Sequence, residues 1–204
     1  MRKALRARSQ GRLSHDFFQG STRSLARALL GQSLVSYRGG RLVAGMIVET
    51  EAYLGSNDPA CHAARGMTPR NEVMFRSSGH CYVYLIYGMY HCVNVVSESE
   101  GVGSAVLIRA VEPLEGIDVM NVRRGPHVRR ALDLARGPGR LCEAFDIDRT
   151  LSGTHFCSSP EIWIEEAPSV RSRDIEITGR IGIREGAELP LRFAVRSSRF
   201  VSRA

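Results

Sequence analysis

The stretch from Cys81 to Val96 reads Cys-Tyr-Val-Tyr-Leu-Ile-Tyr-Gly-Met-Tyr-His-Cys-Val-Asn-Val-Val. Two apolar runs rich in aromatic residues flank Gly88-Met89. Runs of this kind suit strands, and a glycine-led two-residue loop between them suits a type II′ hairpin turn. Strand parity puts Tyr82, Tyr84 and Ile86 on one face. Tyr87, Met89 and Tyr90 fall at or beside the tip, where large apolar side chains are costly to leave in water.

The chain that carries this hairpin is strongly basic, with a formal net charge of +7 and a pI of about 9.6. Such a charge suggests a polyanionic partner, with nucleic acid the leading class. Of the 28 basic residues only Lys3 is lysine; the other 27 are arginine. Arginine contacts phosphate bidentately and stacks on bases. A genome that favours arginine codons would give the same bias. An aromatic tip on a basic chain suits a wedge pushed between stacked bases.

A chain of 204 residues is enough for one domain with a sizeable core. No apolar run approaches the roughly 20 residues of a membrane span. Residues 1–14 carry five basic residues and no acid. They lack the apolar stretch of a signal peptide and read as a disordered basic arm, with a mitochondrial transit peptide as the alternative. The cysteine count is odd, at five. Without a secretory signal, that suggests reduced thiols in a reducing compartment, and a compact arginine-rich chain with no targeting signal suggests a bacterial cytoplasm. Cys61-His62, His80-Cys81 and His91-Cys92 hint at metal. Their spacing fits no zinc pattern, and strand neighbours point to opposite faces, so neither a metal nor a cofactor is expected.

Ser21 opens a helix with Leu25, Ala28 and Leu29 at core spacing and Gly31 as its stop. Leu34 to Tyr37 and Leu42 to Thr50 read as strands joined at Gly39-Gly40, followed by a loop from Asn57 to Arg70. Ala105 to Ala110 reads as a buried strand. Pro113 is expected to begin a helix running through Val119. Arg123 to Arg140 holds six arginines, a candidate phosphate surface, and leads into a short helix from Arg140 to Phe145. Ile162 to Glu165, Ile175 to Ile183 and Leu191 to Val195 read as strands. The fold class expected is α+β: a single mixed domain, residues 15–204, around a curved, largely antiparallel β-sheet with a protruding β-hairpin.

Glu49-Thr50-Glu51-Ala52-Tyr53 closes a strand. If the strand continues, Glu49, Glu51 and Tyr53 share one face, a candidate general-base site. Solvated acids at an exposed strand end are the plainer alternative. Asn94 and Arg109 lie within apolar strands and must find partners if buried.

Ile47 to Gly55, Thr68-Pro69-Arg70-Asn71, Tyr82 to Met89 and Leu107 to Gly116 together resemble the alkyladenine (3-methyladenine) DNA glycosylase family. This is the family with its own fold, not the helix-hairpin-helix glycosylases. The match runs in order from about Leu13 to Val201, through Leu25 to Gly31 and Leu191 to Arg196. The resemblance implies an enzyme of base excision repair that flips alkylated or deaminated purines, of the 3-methyladenine, 7-methylguanine and hypoxanthine class, out of double-stranded DNA. It would hydrolyse the N-glycosidic bond and leave an abasic site. Glu51 corresponds to the base that activates water, and Arg109 to a residue that helps hold that water. Tyr53, His62 and Tyr84 correspond to the pocket for the flipped base, and Asn94 to the residue that discourages guanine. Tyr87 corresponds to the side chain that fills the gap in the duplex, with Met89 and Tyr90 beside it. A shorter loop from His62 to Thr68, Ala194 in place of an aromatic residue, and the basic arm depart from the family pattern.

The scarcity of lysine carries an inference of its own. Strand cleavage by a Schiff base needs an amine nucleophile. With Lys3 the only lysine, a monofunctional glycosylase is expected; action as a monomer is a separate expectation. Two other readings use the same residues. A non-catalytic DNA- or RNA-binding module would need the basic surface and the aromatic tip, but not Glu51, His62 and Arg109 together. A metal-dependent hydrolase built on the Cys–His pairs would lose activity to a chelator.

Overall fold

Gly39 and Gly40 both have positive φ, 57° and 71°, and turn β1 (Ser33–Arg38) back into β2 (Arg41–Tyr53). Positive φ at two consecutive positions is the type I′ signature, which glycine adopts without steric cost. β2 is the spine of the molecule. One edge pairs along β5 (Ser104–Glu115). The other edge pairs first with β1 and then, from Glu49 to Glu51, with β8 (Arg192–Val195). Outward from β5 lies β4 (Tyr90–Ser97), then β3 (Cys81–Ile86). β6 (Ile162–Glu165) borders β1, and β7 (Ile175–Thr178) borders β8. The computed structural model, which describes residues 11–202, thus holds an eight-stranded sheet in which every described pairing is antiparallel. The chain is a single α+β domain, as expected.

Among the described residues three α-helices complete it: α1 (Thr22–Ala28), α2 (Ile117–Arg124) and α3 (Pro138–Phe145). α1 buries Leu25 and Ala26 against the sheet, with Ala28 only half-buried. Ser21 caps it by accepting from the Ser24 amide. Thr50 Oγ1 donates to Ala26 O at 2.8 Å, which ties the helix to β2. α3 buries Leu141, Cys142, Ala144 and Phe145 on one side. The central core joins these to Ile47, Val48, Val93, Ile108 and Phe193.

Four local expectations are corrected. The hairpin turn has three residues, not two, because Ile86 pairs with Tyr90. Tyr87 and Gly88 both have positive φ, 54° and 71°, and the Met89 amide donates to Ile86 O at 3.2 Å. That is the I′ pattern rather than II′. Pro113 begins no helix: it lies within β5 opposite Gly45, at a register shift where its missing N–H is tolerated. A Cβ on Gly45 would meet Glu112 O at 2.8 Å, so the closeness of the two strands explains that glycine. α2 starts only after Gly116, and α3 starts at Pro138, which suits proline at a first helical turn. β7 ends at Thr178, and the segment read as its continuation to Ile183 is loop.

Of the basic arm expected at residues 1–14, residues 1–10 lie outside the described residues. Arg12 bridges Glu165, and the Leu13 amide donates to Ile164 O at 2.9 Å, so this part of the chain runs along β6.

Candidate active site

Strand pairing lines up one row of residues across five strands. Tyr82 faces Asn94, Asn94 faces Leu107, Leu107 faces Glu51, and Glu51 faces Arg192. Residues directly opposite share a sheet face. Tyr84 and Cys92, opposite one another, extend that face, as does Tyr53, because β2 continues to Tyr53.

Arg109 reaches this face through an irregularity. Glu49 pairs with Ala110 and Thr50 with Ile108, so Arg109 sits in a bulge with no partner across the strand. Bulges re-aim side chains. Here the guanidinium is aimed between two carboxylates: Nε lies 3.2 Å from Glu49 Oε1, and Nη1 lies 3.4 Å from Glu51 Oε1.

The two acids have different surroundings. Glu49 accepts from Arg192 Nε at 2.6 Å, the Ser202 amide at 2.6 Å and Ser202 Oγ at 2.8 Å, besides Arg109. Its carboxylate is saturated with donors. Glu51, also fully buried, accepts from the Tyr53 hydroxyl at 2.9 Å and the Ile181 amide at 2.9 Å. Burial pushes the Glu51 carboxyl above the ordinary range, and Arg109 opposes that rise without cancelling it. Burial and the adjacent Glu51 push the Tyr53 phenol up, so it remains a neutral donor.

A cavity of about 750 Å³ opens beside these groups. Tyr53, Tyr84, Cys92, Leu107 and Arg109 line it from the sheet, Tyr87 and Tyr90 from the hairpin. Arg124, Arg136, Arg140 and the Gly137-Pro138-Gly139 turn add a basic wall. Glu51 itself is not exposed there; Tyr53 and Arg109, which both bond it, line the cavity. Burial pushes the Tyr84 phenol up and that of Tyr82 up to about 12, so both keep neutral aromatic faces.

His62 lies edge-on to Tyr84, ring centroids 4.4 Å apart, with Nδ1 3.0 Å from the Tyr82 hydroxyl. Burial, then Arg70, lower its pKa. Asn71 holds that loop: its Nδ2 donates to His62 O at 2.8 Å and to Gly66 O at 3.0 Å, and its Oδ1 accepts from the Thr68 amide. Asn94 is buried in the same sheet row, its Nδ2 donating to Tyr82 O at 3.1 Å. At the hairpin tip Tyr87 is 79% exposed and Met89 66%.

The residues singled out from the sequence therefore fall into three places. Glu51, Arg109, Tyr53 and Tyr84 meet at the cavity; His62 and Asn94 flank it through Tyr84 and Tyr82; and Tyr87, Met89 and Tyr90 stand at the rim. Ile181, Ser202 and Arg192 come from distant segments and bond the two acids, a role that no spacing along the chain reveals. The Cys–His neighbours diverge, with Cys61 Sγ donating to Gly103 O and His62 turned to Tyr82. Among the described residues, no three His, Cys, Asp or Glu side chains gather as metal ligands would. Among the described residues no helix is long and apolar enough to cross a membrane.

A family model described as methylpurine-DNA glycosylase matches residues 16–199. A Methanocella arvoryzae protein named for 3-methyladenine DNA glycosylase is 48% identical over 194 residues, 94% of this chain and 96% of its own length. Proteins of the same name from Chlorobaculum parvum and Mesorhizobium japonicum are 47% and 49% identical, over 94% and 89% of this chain and 90% and 85% of their own. The relatives include archaeal proteins, so relatedness does not select a bacterial source.

Proposed function

The chain belongs to the methylpurine-DNA glycosylase family, and on that premise we propose that it excises alkylated or deaminated purines from double-stranded DNA, with Glu51 activating the attacking water. The observation that carries this reading is Glu51 itself. It is a buried carboxyl with raised pKa, held by Tyr53, Ile181 and Arg109, and it sits directly behind the Tyr53 and Arg109 side chains that line a cavity shared with the aromatic hairpin.

The C1′ of a stacked nucleotide is closed to attack, so the lesion must leave the duplex at a cost of a few kcal/mol. Tyr87 offsets that cost by filling the gap, with Met89 and Tyr90 beside it. The basic wall at Arg136 and Arg140 suits the strained backbone. Alkylation at N3 or N7 makes the purine cationic. The faces of Tyr53 and Tyr84, with the edge of His62, favour such a base by about 0.5–2 kcal/mol. To Asn94, in the same sheet row as Glu51, we assign the discouragement of guanine lesions.

Glu51 takes a proton from water, whose oxygen bonds to C1′ as the bond to the base nitrogen breaks. The electron pair leaves with the base. A cationic purine departs neutral, and hypoxanthine needs a proton on departure. General-base help of this kind contributes on the order of 10²–10⁴-fold. The base must be ionised to act, so the rate falls as pH drops through the Glu51 pKa. Because burial raises that pKa, the acid limb of single-turnover base release is expected above the ordinary glutamate value of about 4.3. A limb at or below that value would contradict the assignment.

Tyr87 has a second mark of function, a left-handed backbone on a bulky residue. Tyr87→Ala is expected to weaken binding of lesion-bearing duplex by about 1–3 kcal/mol, the usual value of one base–aromatic stack. Titration of a fluorescent duplex checks this, and unchanged affinity would remove Tyr87 from the wedge.

Lys3 lies outside the described residues, and no other lysine exists to form a Schiff base. Borohydride is therefore expected to trap no covalent enzyme–DNA complex. The decisive experiment is base release, in EDTA, from duplex carrying one hypoxanthine or one 3-methyladenine. Free base plus an alkali-labile site is the expected result. No release from either lesion, with tight duplex binding intact, would overturn the reading.

A further inference from the structure

Arg180 and Asp58 play no part in the chemistry above, yet both side chains are fully buried and ion-paired. Arg180 Nη2 donates to Asp58 Oδ1 at 2.8 Å, and Nη1 donates to Oδ2. The same two nitrogens donate to Ala52 O at 3.1 Å and to Gly186 O at 3.1 Å. Asp58 in turn accepts from the Leu54 amide at 3.2 Å and the Ala60 amide at 3.1 Å. The pair thus ties together the end of β2, the turn after it, and the loop between β7 and β8.

A buried ion pair is weak evidence of function, since it is costly to desolvate and often replaceable. Here its anchor points are the informative part. Ala52 stands between Glu51 and Tyr53. The residue after Arg180 is Ile181, whose amide donates to Glu51 Oε1 at 2.9 Å and whose carbonyl accepts from Arg109 Nη1 at 3.4 Å. The guanidinium lies 4.7 Å from the Tyr53 ring centroid, on a residue that also lines the cavity. Its Nε is buried with no acceptor among the described residues. Only a planar fork reaches this set of acceptors at once; a lysine ammonium does not.

We propose that Arg180, held by Asp58, is a positioning residue that fixes the Ile181 peptide and the Tyr53 ring against Glu51. It touches no reacting atom. This inference rests on Glu51 being the base.

The test compares wild type with Arg180→Lys, with the doubly neutralised Asp58→Asn/Arg180→Met, and with Glu51→Gln. Arg180→Met alone would leave Asp58 buried and unpaired, so the double variant and the charge-keeping Arg180→Lys serve as folded controls. Single-turnover release of hypoxanthine is measured across pH, beside binding of a duplex carrying a tetrahydrofuran abasic analogue. Misplacement of this size costs roughly tenfold to a hundredfold. Both variants are expected to lose that much in rate. Their acid limb is expected to move to higher pH, because the Ile181 amide bond favours the carboxylate. Abasic-duplex affinity is expected to hold, since that ligand has no base to meet Tyr53. Wild-type rate and wild-type acid limb in Arg180→Lys, with Glu51→Gln inactive, would overturn the positioning role and leave the base assignment standing. An active Glu51→Gln would overturn both.

Discussion

Glu51→Gln is expected to lose about 10²–10⁴-fold in base release while keeping its fold and its affinity for lesion-bearing duplex. Glutamine retains the shape of the side chain and one oxygen to accept from Ile181 or Tyr53, but it cannot take a proton from water. Arg109 keeps Glu49 as a partner at 3.2 Å, so no buried charge is stranded. The effect on stability has a definite sign. A carboxyl raised by burial binds its proton more tightly folded than unfolded. The favourable contribution is therefore present below the unfolded glutamate pKa and is lost as pH rises through the folded value. Above that folded value the ionised Glu51 is a net cost to the fold, and a neutral amide removes that cost. Thermal melts at pH 7–8 are expected to place Glu51→Gln at or above wild type. A variant that releases base like wild type, or that melts well below it, would show that Glu51 serves the fold rather than the reaction.

Glu49→Gln, two residues away on the same strand, is expected to do the opposite and destabilise the protein by about 3–5 kcal/mol, the usual cost of breaking a buried charge pair on one side. Both carboxylate oxygens of Glu49 are in use as acceptors. Oε1 meets Arg192 Nε, Ser202 Oγ and Arg109 Nε, and Oε2 meets the Ser202 amide. Whichever way a glutamine amide is turned, its NH₂ faces a donor, and Arg192 loses its charge partner. For a domain of this size each kcal/mol moves Tm by about 2–4 °C, so a fall of roughly 6–20 °C is expected. Calorimetry on the two glutamine variants side by side checks the contrast. Equal melting temperatures would mean that the donor saturation at Glu49 carries little of the fold.

Much of this was legible in the chain because strand alternation is local. The period of two in Cys81–Ile86 and in Met46–Tyr53 assigned faces correctly, and with them the shared side of Glu49, Glu51 and Tyr53. The resemblance then singled out Glu51 from its neighbour, along with Arg109, Tyr84 and the hairpin tip. The same local logic failed where apolar spacing continued without a strand. Ile181 and Ile183 repeat the alternation of Ile175 and Ile177, yet the chain leaves the sheet at Thr178. A Cβ on Gly179 would meet Ala187 O at 2.3 Å, a tight loop closure that the alternation conceals.

What the sequence determined by itself was therefore the hairpin, the run of sheet strands, the basic character and the family to which the chain belongs. Each depends on residue type and near-neighbour spacing. Only the tertiary structure decided which acid is saturated and which retains a raised pKa beside a cavity. That difference is made by Ser202, 153 positions beyond Glu49, and by the Ile181 amide, 130 positions beyond Glu51. It also depends on a bulge that aims Arg109 between the two. Backbone donors and bulges have no residue signature, because every residue but proline carries the same amide. Their placement follows from how the strands close on one another rather than from any pattern along the chain.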